Sequence, residues 1–195
     1  DWSLDPVHAR SLPLAPWPSI PYLNFDVAGD HKVIWELSRH QFLVTLARAY
    51  RITGEEHYAG AARELWQDWQ RKNPYPLGVN WASTLEVAYR ALSWMWTAFL
   101  LEGTAAGTPE FQSDIARETE RAGLYIDRYL STYFSPNTHL LGEAVVLFLI
   151  ACRYPGLRHA ARWRDSVWAV IDQACTTQVR PDGFYFEQST YYHVY

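Results

Sequence analysis

Apolar positions return at intervals of three and four residues along most of this chain, the spacing that lines one face of a helix. The pattern predicts helices over 31–52, 55–72, 80–101, 109–131, 137–154 and 157–179. Their boundaries carry the expected punctuation. Gly54 and Gly103 follow the first and third helices, Asn73-Pro74 stops the second, and Pro109 sits in the opening turn of the fourth. Pro155-Gly156 ends the fifth and Pro181-Asp182-Gly183 the sixth. Asp30 is placed to cap the first helix. Only Phe184-Tyr185-Phe186 suggests a short extended piece, and residues 1–30 read as an extended N-terminal segment.

The odd predicted helices resemble one another, and so do the even ones. The odd helices carry long apolar runs, such as Phe42-Leu43-Val44 and Val145-Val146-Leu147-Phe148-Leu149. The even helices are amphipathic, with Arg117, Glu118, Glu120 and Arg121 forming a solvated face. A repeat of roughly 50 residues, one buried helix and one half-exposed, is the signature of stacked hairpins. An open solenoid and a closed ring both satisfy that repeat, and fully apolar inner helices favour the ring. The predicted fold class is all-α: an incomplete (α/α) toroid of helical hairpins in inner and outer layers. A fourth inner helix is due near Glu187, so the toroid domain of 31–195 is expected to continue beyond this stretch. The start at Asp1, without Met or signal peptide, reads as a processed or truncated end.

Composition narrows the function classes. With 49% hydrophobic and 19% charged residues the chain has the makings of one packed domain. No apolar run reaches the roughly 18 residues of a membrane span. A net charge of −4 with only 17 scattered Lys and Arg argues against a nucleic-acid partner. Aromatic residues make up 16% of the chain, including 10 Trp. Most are expected in the core, with some free to stack on sugar rings. Cys152 and Cys175 fall on apolar faces and read as buried free thiols, and His8, His57 and His159 read as surface residues. Glycine-rich phosphate loops, HExxH, CxxC pairs and GxSxG are absent, and neither a metal ion nor a cofactor is expected.

Polar residues gather at the starts of the odd helices. They are Trp35, Glu36, Arg39 and His40; then Asn80, Trp81, Glu86 and Arg90; then Asn137, Thr138, His139 and Glu143. The fourth start holds Glu187, Ser189, Tyr191, Tyr192 and His193. In a toroid the inner-helix starts share one end, so these sets are expected to line one pocket. Glu36 and His40, Glu86 and Arg90, and His139 and Glu143 are each spaced to share a helix face. Any one pair is also an ordinary helix-surface pair. Their recurrence on the most apolar helices favours a site, because uncompensated polar groups are costly there.

Four stretches resemble the heparinase II/III-like superfamily of polysaccharide lyases: 35–41 around Trp35-Glu36, 78–86 around Asn80-Trp81, 135–143 around Asn137-Thr138-His139, and 182–193 ending in Tyr191-Tyr192-His193. The resemblance implies a helical toroid followed by β-sandwich domains, and β-elimination on an acidic, uronate-containing polysaccharide. It also implies a periplasmic or secreted setting. Tyr192 would then be the catalytic acid, or both acid and base. His139 would be base or carboxylate partner, and Asn137 would take part in neutralising the carboxylate. Trp35, Glu36, Arg39, His40, Asn80, Trp81, Glu86, Arg90, Glu143, Glu187 and His193 would bind substrate. The family often has Asn where this chain has Thr138, which leaves the neutralising role to Asn137, Arg39 or Arg90. A glycosidase or epimerase on a similar toroid would need paired carboxylates, and a glycan-binding protein could keep the fold without catalysis.

Overall fold

The N-terminal residues do more than extend. In the computed structural model, which describes residues 1–133 and 136–188, they form a small antiparallel hairpin of β1 (Leu4–Asp5) and β2 (Arg10–Ser11). A 3₁₀ turn at Trp17–Ser19 and the short helix α1 (Phe25–Ala28) follow. Leu12, Ile20, Ala28, Ile34 and Val79 make a separate apolar cluster beneath them. Asp5 fastens the hairpin. Its buried carboxylate accepts from the Asp30, Val7 and His8 amides and lies 2.7 Å from His8 Nδ1. Burial alone would raise its pKa, but these hydrogen bonds outweigh it and hold the group at about 2.

The remaining helices form hairpins in two layers. α3 (Gln41–Thr53) pairs with α4 (Glu56–Lys72), α5 (Thr84–Leu101) with α6 (Pro109–Arg128), and α7 (Thr138–Arg153) with α8 (Ala160–Gln178). Within the inner layer α3 packs on α5 and α5 on α7, giving an arc of an (α/α) toroid. α5 buries most of its residues, whereas α6 buries one stripe, as expected for inner and outer helices. Asp30 caps through Lys32 N, and Thr108 caps α6 through Phe111 N with Pro109 behind it. Two glycines set layer distances. A Cβ on Gly123 would meet the Trp163 ring at 2.9 Å, and one on Gly142 would meet Leu85 at 2.9 Å. The second contact brings the starts of α5 and α7 together.

Three expectations are corrected. The helix predicted over 31–52 is two helices, α2 (His31–Ser38) and α3, broken at His40, whose φ is 62°. Left-handed backbone costs a non-glycine residue on the order of 1 kcal/mol. Burial of the ring and a 2.8 Å hydrogen bond from Trp94 Nε1 to His40 Nδ1 offset it. Cys152 and Cys175 are exposed free thiols and not buried ones. Glu118 is not solvated: it is 7% exposed, held by Arg121 at 2.7 Å and Arg117 at 3.5 Å. The Phe184–Phe186 piece closes a tight turn, with Val179 bridged to Tyr185 around Gly183 at φ 83°. Among the described residues no helix is long and apolar enough to cross a membrane.

Candidate active site

The polar clusters separate into two levels at the N-terminal ends of the inner helices. The lower level is fully buried. Arg90 lies with its guanidinium carbon 4.5 Å from the Trp69 ring, 5.0 Å from Trp81 and 5.8 Å from Trp94. It donates to Asn80 O at 3.0 Å and to Ser38 O at 3.5 Å. Burial lowers its pKa to about 9, with Glu86 and Tyr125 opposing the fall. Asn80 Nδ2 donates to Asn73 Oδ1 at 2.9 Å and to Trp2 O at 3.1 Å. His40 packs edge-on against Trp69 and Trp2, and burial followed by the Arg90 charge drives its pKa well down, so it is neutral. Trp81 O accepts from the Tyr125 hydroxyl. His40, Asn80, Trp81 and Arg90, expected to bind substrate, are all buried, and a cation held by aromatic faces and carbonyls joins α2, α4 and α5.

The upper level is partly open. The Arg39 guanidinium grips Glu86 through Nε at 2.7 Å and Nη2 at 2.9 Å, a bidentate pair linking α2 to α5. Glu86 therefore pairs with Arg39 and not with Arg90, its neighbour one turn on. Arg39 also lies 5.2 Å over Tyr89, while Glu36 is exposed and only 4.0 Å from Arg39. The expected Glu36–His40 face does not exist, because the chain breaks between them. Trp35 Nε1 donates to Val79 O at 3.0 Å, leaving the ring half-buried beside Tyr22 and His31.

Asn137 caps α7. Its Oδ1 accepts from His139 N at 3.1 Å and lies 3.2 Å from His139 Nδ1. A neutral His139 sharing that contact carries its proton on Nδ1 and leaves the Nε2 lone pair available. Thr138 Oγ1 donates to Glu187 Oε2 at 2.9 Å and lies 3.4 Å from the Tyr185 hydroxyl, which donates to Gln178 Oε1 at 2.6 Å. Glu143 is 1% exposed and reaches back to Ser131, accepting from its amide at 2.8 Å and its hydroxyl at 2.7 Å. Burial raises its pKa to about 7 against the opposing pull of these bonds. Expected to bind substrate and to share a face with His139, it is buried, and among the described residues its hydrogen bonds go to Ser131.

The clusters expected to share a pocket thus divide into a buried group around Arg90 and part-buried groups at the starts of α5 and α7. Arg39, Glu86, Asn137, Thr138, His139 and Glu187 lie at the rim level. Tyr192 and His193 lie outside the described residues. Ser131, Tyr185 and Gln178 were not among the expected site residues; Ser131 and Gln178 carry no sequence signal, while Tyr185 lies within the 182–193 stretch. Among the described residues no three His, Cys, Asp or Glu side chains gather to hold a metal.

This toroid arc and its helix-end site define a class that the whole chain shares: residues 1–195 match the family described as heparinase II/III N-terminus, and the chain belongs to it. More particularly, it is 32% identical over 171 residues to a heparin-sulfate lyase of Pedobacter heparinus, covering 85% of this chain and 25% of that protein. A heparin-sulfate lyase of Bacteroides stercoris is 28% identical over 186 residues, covering 85% of this chain and 27% of that protein. Among solved structures, heparan sulfate lyase HepC from Pedobacter heparinus aligns with a TM-score of 0.72 at 29% identity, over 90% of this chain and 28% of that one. A heparinase III structure gives 0.71 at 25% identity, over 81% and 24%. The chain spans about a quarter of the length of the curated relatives it matches.

Proposed function

We propose that the full-length protein is a polysaccharide lyase cleaving a uronate-containing glycosaminoglycan, heparan sulfate first among them, by β-elimination. The observation that carries this is Asn137 and His139 side by side at the start of α7. The C5 proton of a uronate becomes removable only when its carboxylate is neutralised. The carboxamide Nδ2–H of Asn137 and the positive end of α7 are suited to that task. Thr138 is engaged with Glu187, which leaves the task to Asn137. A base then takes the C5 proton, its electron pair forms the C4–C5 double bond, the C4–O4 bond breaks, and O4 receives a proton. His139 Nε2 is the base in this reading and Tyr192 the acid.

The substrate follows from the relatives, which are named for heparin sulfate. A periplasmic or secreted location and C-terminal β-sandwich domains belong to the same proposal. The glycosidase reading loses ground, because Glu86 is tied to Arg39 and Glu143 to Ser131, so neither of these two is free to act as one of a carboxylate pair. The test is ultraviolet absorbance of the unsaturated uronate when the full-length protein meets heparan sulfate. Saturated products, or binding without cleavage, would overturn the lyase assignment.

A further inference from the structure

Glu143 has a task that depends on where its partner lies. The chain leaves α6 at Arg128 and enters α7 at Thr138, and Ser131 stands near the start of that connection. Four side chains hold residues near its two ends. Thr84 Oγ1 donates to Tyr129 O at 3.0 Å, Glu143 takes both donors of Ser131, Gln178 Nε2 donates to Pro136 O at 3.0 Å, and Asn137 caps the helix. Of these, Glu143 alone is a buried acid, and it projects from the helix that carries His139, one turn further on.

Resting on the lyase reading, we propose that Glu143 is a positioning residue: it clamps Ser131 to α7 and so fixes the approach of the chain to Asn137 and His139. The alternative fates of a buried carboxylate do not fit. It has no cationic partner within hydrogen-bond range among the described residues, and both oxygens are spent on one residue of the connection. A carboxylate that takes an amide and a hydroxyl from the same serine fixes both the backbone and the side chain of that residue. Displacing a reacting group by about 1 Å costs on the order of a hundredfold in rate. The clamp acts on geometry and touches no substrate, so it acts on turnover and leaves affinity almost unchanged.

The experiment uses the full-length protein with Glu143→Ala, Glu143→Gln and Ser131→Ala. Heparan sulfate cleavage is measured per folded molecule, alongside hydrogen exchange over the peptide spanning Ser131 and His139. Glu143→Ala is expected to lower kcat about ten- to a hundredfold with KM within about twofold, and to speed exchange in that peptide. Glu143→Gln, which keeps an acceptor for the Ser131 amide, is expected to recover most of the rate. Ser131→Ala is expected to lose less, and to add little on top of Glu143→Ala. A Glu143→Ala protein with normal kcat and unchanged exchange overturns the clamp. If Glu143→Ala does not fold, normal kcat and exchange in Ser131→Ala overturn it instead. Should the wild-type protein cleave no uronate glycan, the lyase reading falls, and hydrogen exchange alone still decides the clamp.

Discussion

The buried level around Arg90 and the rim around His139 draw on the same kinds of residue, yet they do opposite things with them. In the base, His40, Asn80 and Arg90 are sealed among Trp69, Trp81 and Trp94. Arg90 donates to the carbonyls of Asn80 and Ser38, Asn80 to Asn73 and Trp2, and His40 accepts from Trp94, while His40 Nε2, Asn80 Oδ1 and Arg90 Nε have no hydrogen-bond partner among the described residues. At the rim, His139 keeps one ring nitrogen uncommitted, and Asn137 keeps its amide protons. Sequence position at an inner-helix start does not separate chemistry from scaffold, whereas burial does. The cation in the base has no hydrogen-bonded acid among the described residues, because Glu86, whose charge still favours it, gives both oxygens to Arg39. The aromatic faces of Trp69, Trp81 and Trp94 add to that support.

Substitutions can break this division in order of effect. His139→Ala in the full-length protein is expected to reduce product formation by about 10²- to 10⁴-fold while the melting temperature stays within a degree or so. A variant that melts early but turns over normally would move His139 into the scaffold. Arg90→Leu is expected to do the reverse, lowering stability by about 3 kcal/mol because Asn80 O and Ser38 O lose their buried donor. Chemical denaturation reads that loss, and an unchanged midpoint would remove the cage from the stability account.

Acid and base tilt the stability curve in opposite senses. His40 folds neutral with a depressed pKa, so the unfolded chain takes up the extra proton, and stability is lost as pH falls below about 6.5. Glu143, raised to about 7, holds a proton that the unfolded chain has released, so stability is lost as pH rises from about 4.5 to 7. Melting temperatures across that range should show His40→Asn flattening the acid side and Glu143→Gln flattening the neutral side. Parallel shifts in both variants would contradict the assigned protonation states. His159→Ala, remote from both levels, is expected to change neither activity nor stability measurably.

Much of the layering was legible because it follows from burial. A helix covered on two sides must be apolar nearly all round, and the runs in α5 and α7 announce that directly. The rim was legible as residue types at helix starts. Partners were not. Arg39 meets Glu86 across 47 residues and Trp94 meets His40 across 54, distances over which periodicity carries no information. The break at His40 has no glycine or proline to mark it. It exists because the fold supplies a hydrogen bond and a pocket that reward an otherwise unfavourable backbone. Cys152 and Cys175 misled because an apolar stretch of helix does not by itself say which of its positions a neighbour covers.

Trp2 adds a matter of timing. Its ring stacks near Phe42 and His40, its indole donates to Asp68 at 2.9 Å, and its carbonyl receives Asn80. The partners Asp68 and Asn80 lie 66 and 78 positions later in the chain. A ribosome releases the chain in order, so Trp2 emerges well before those partners exist and docks only once α4 and the turn at Val79–Trp81 have followed. A residue made before its partners thus finds its place only after they have followed, closing over the aromatic base.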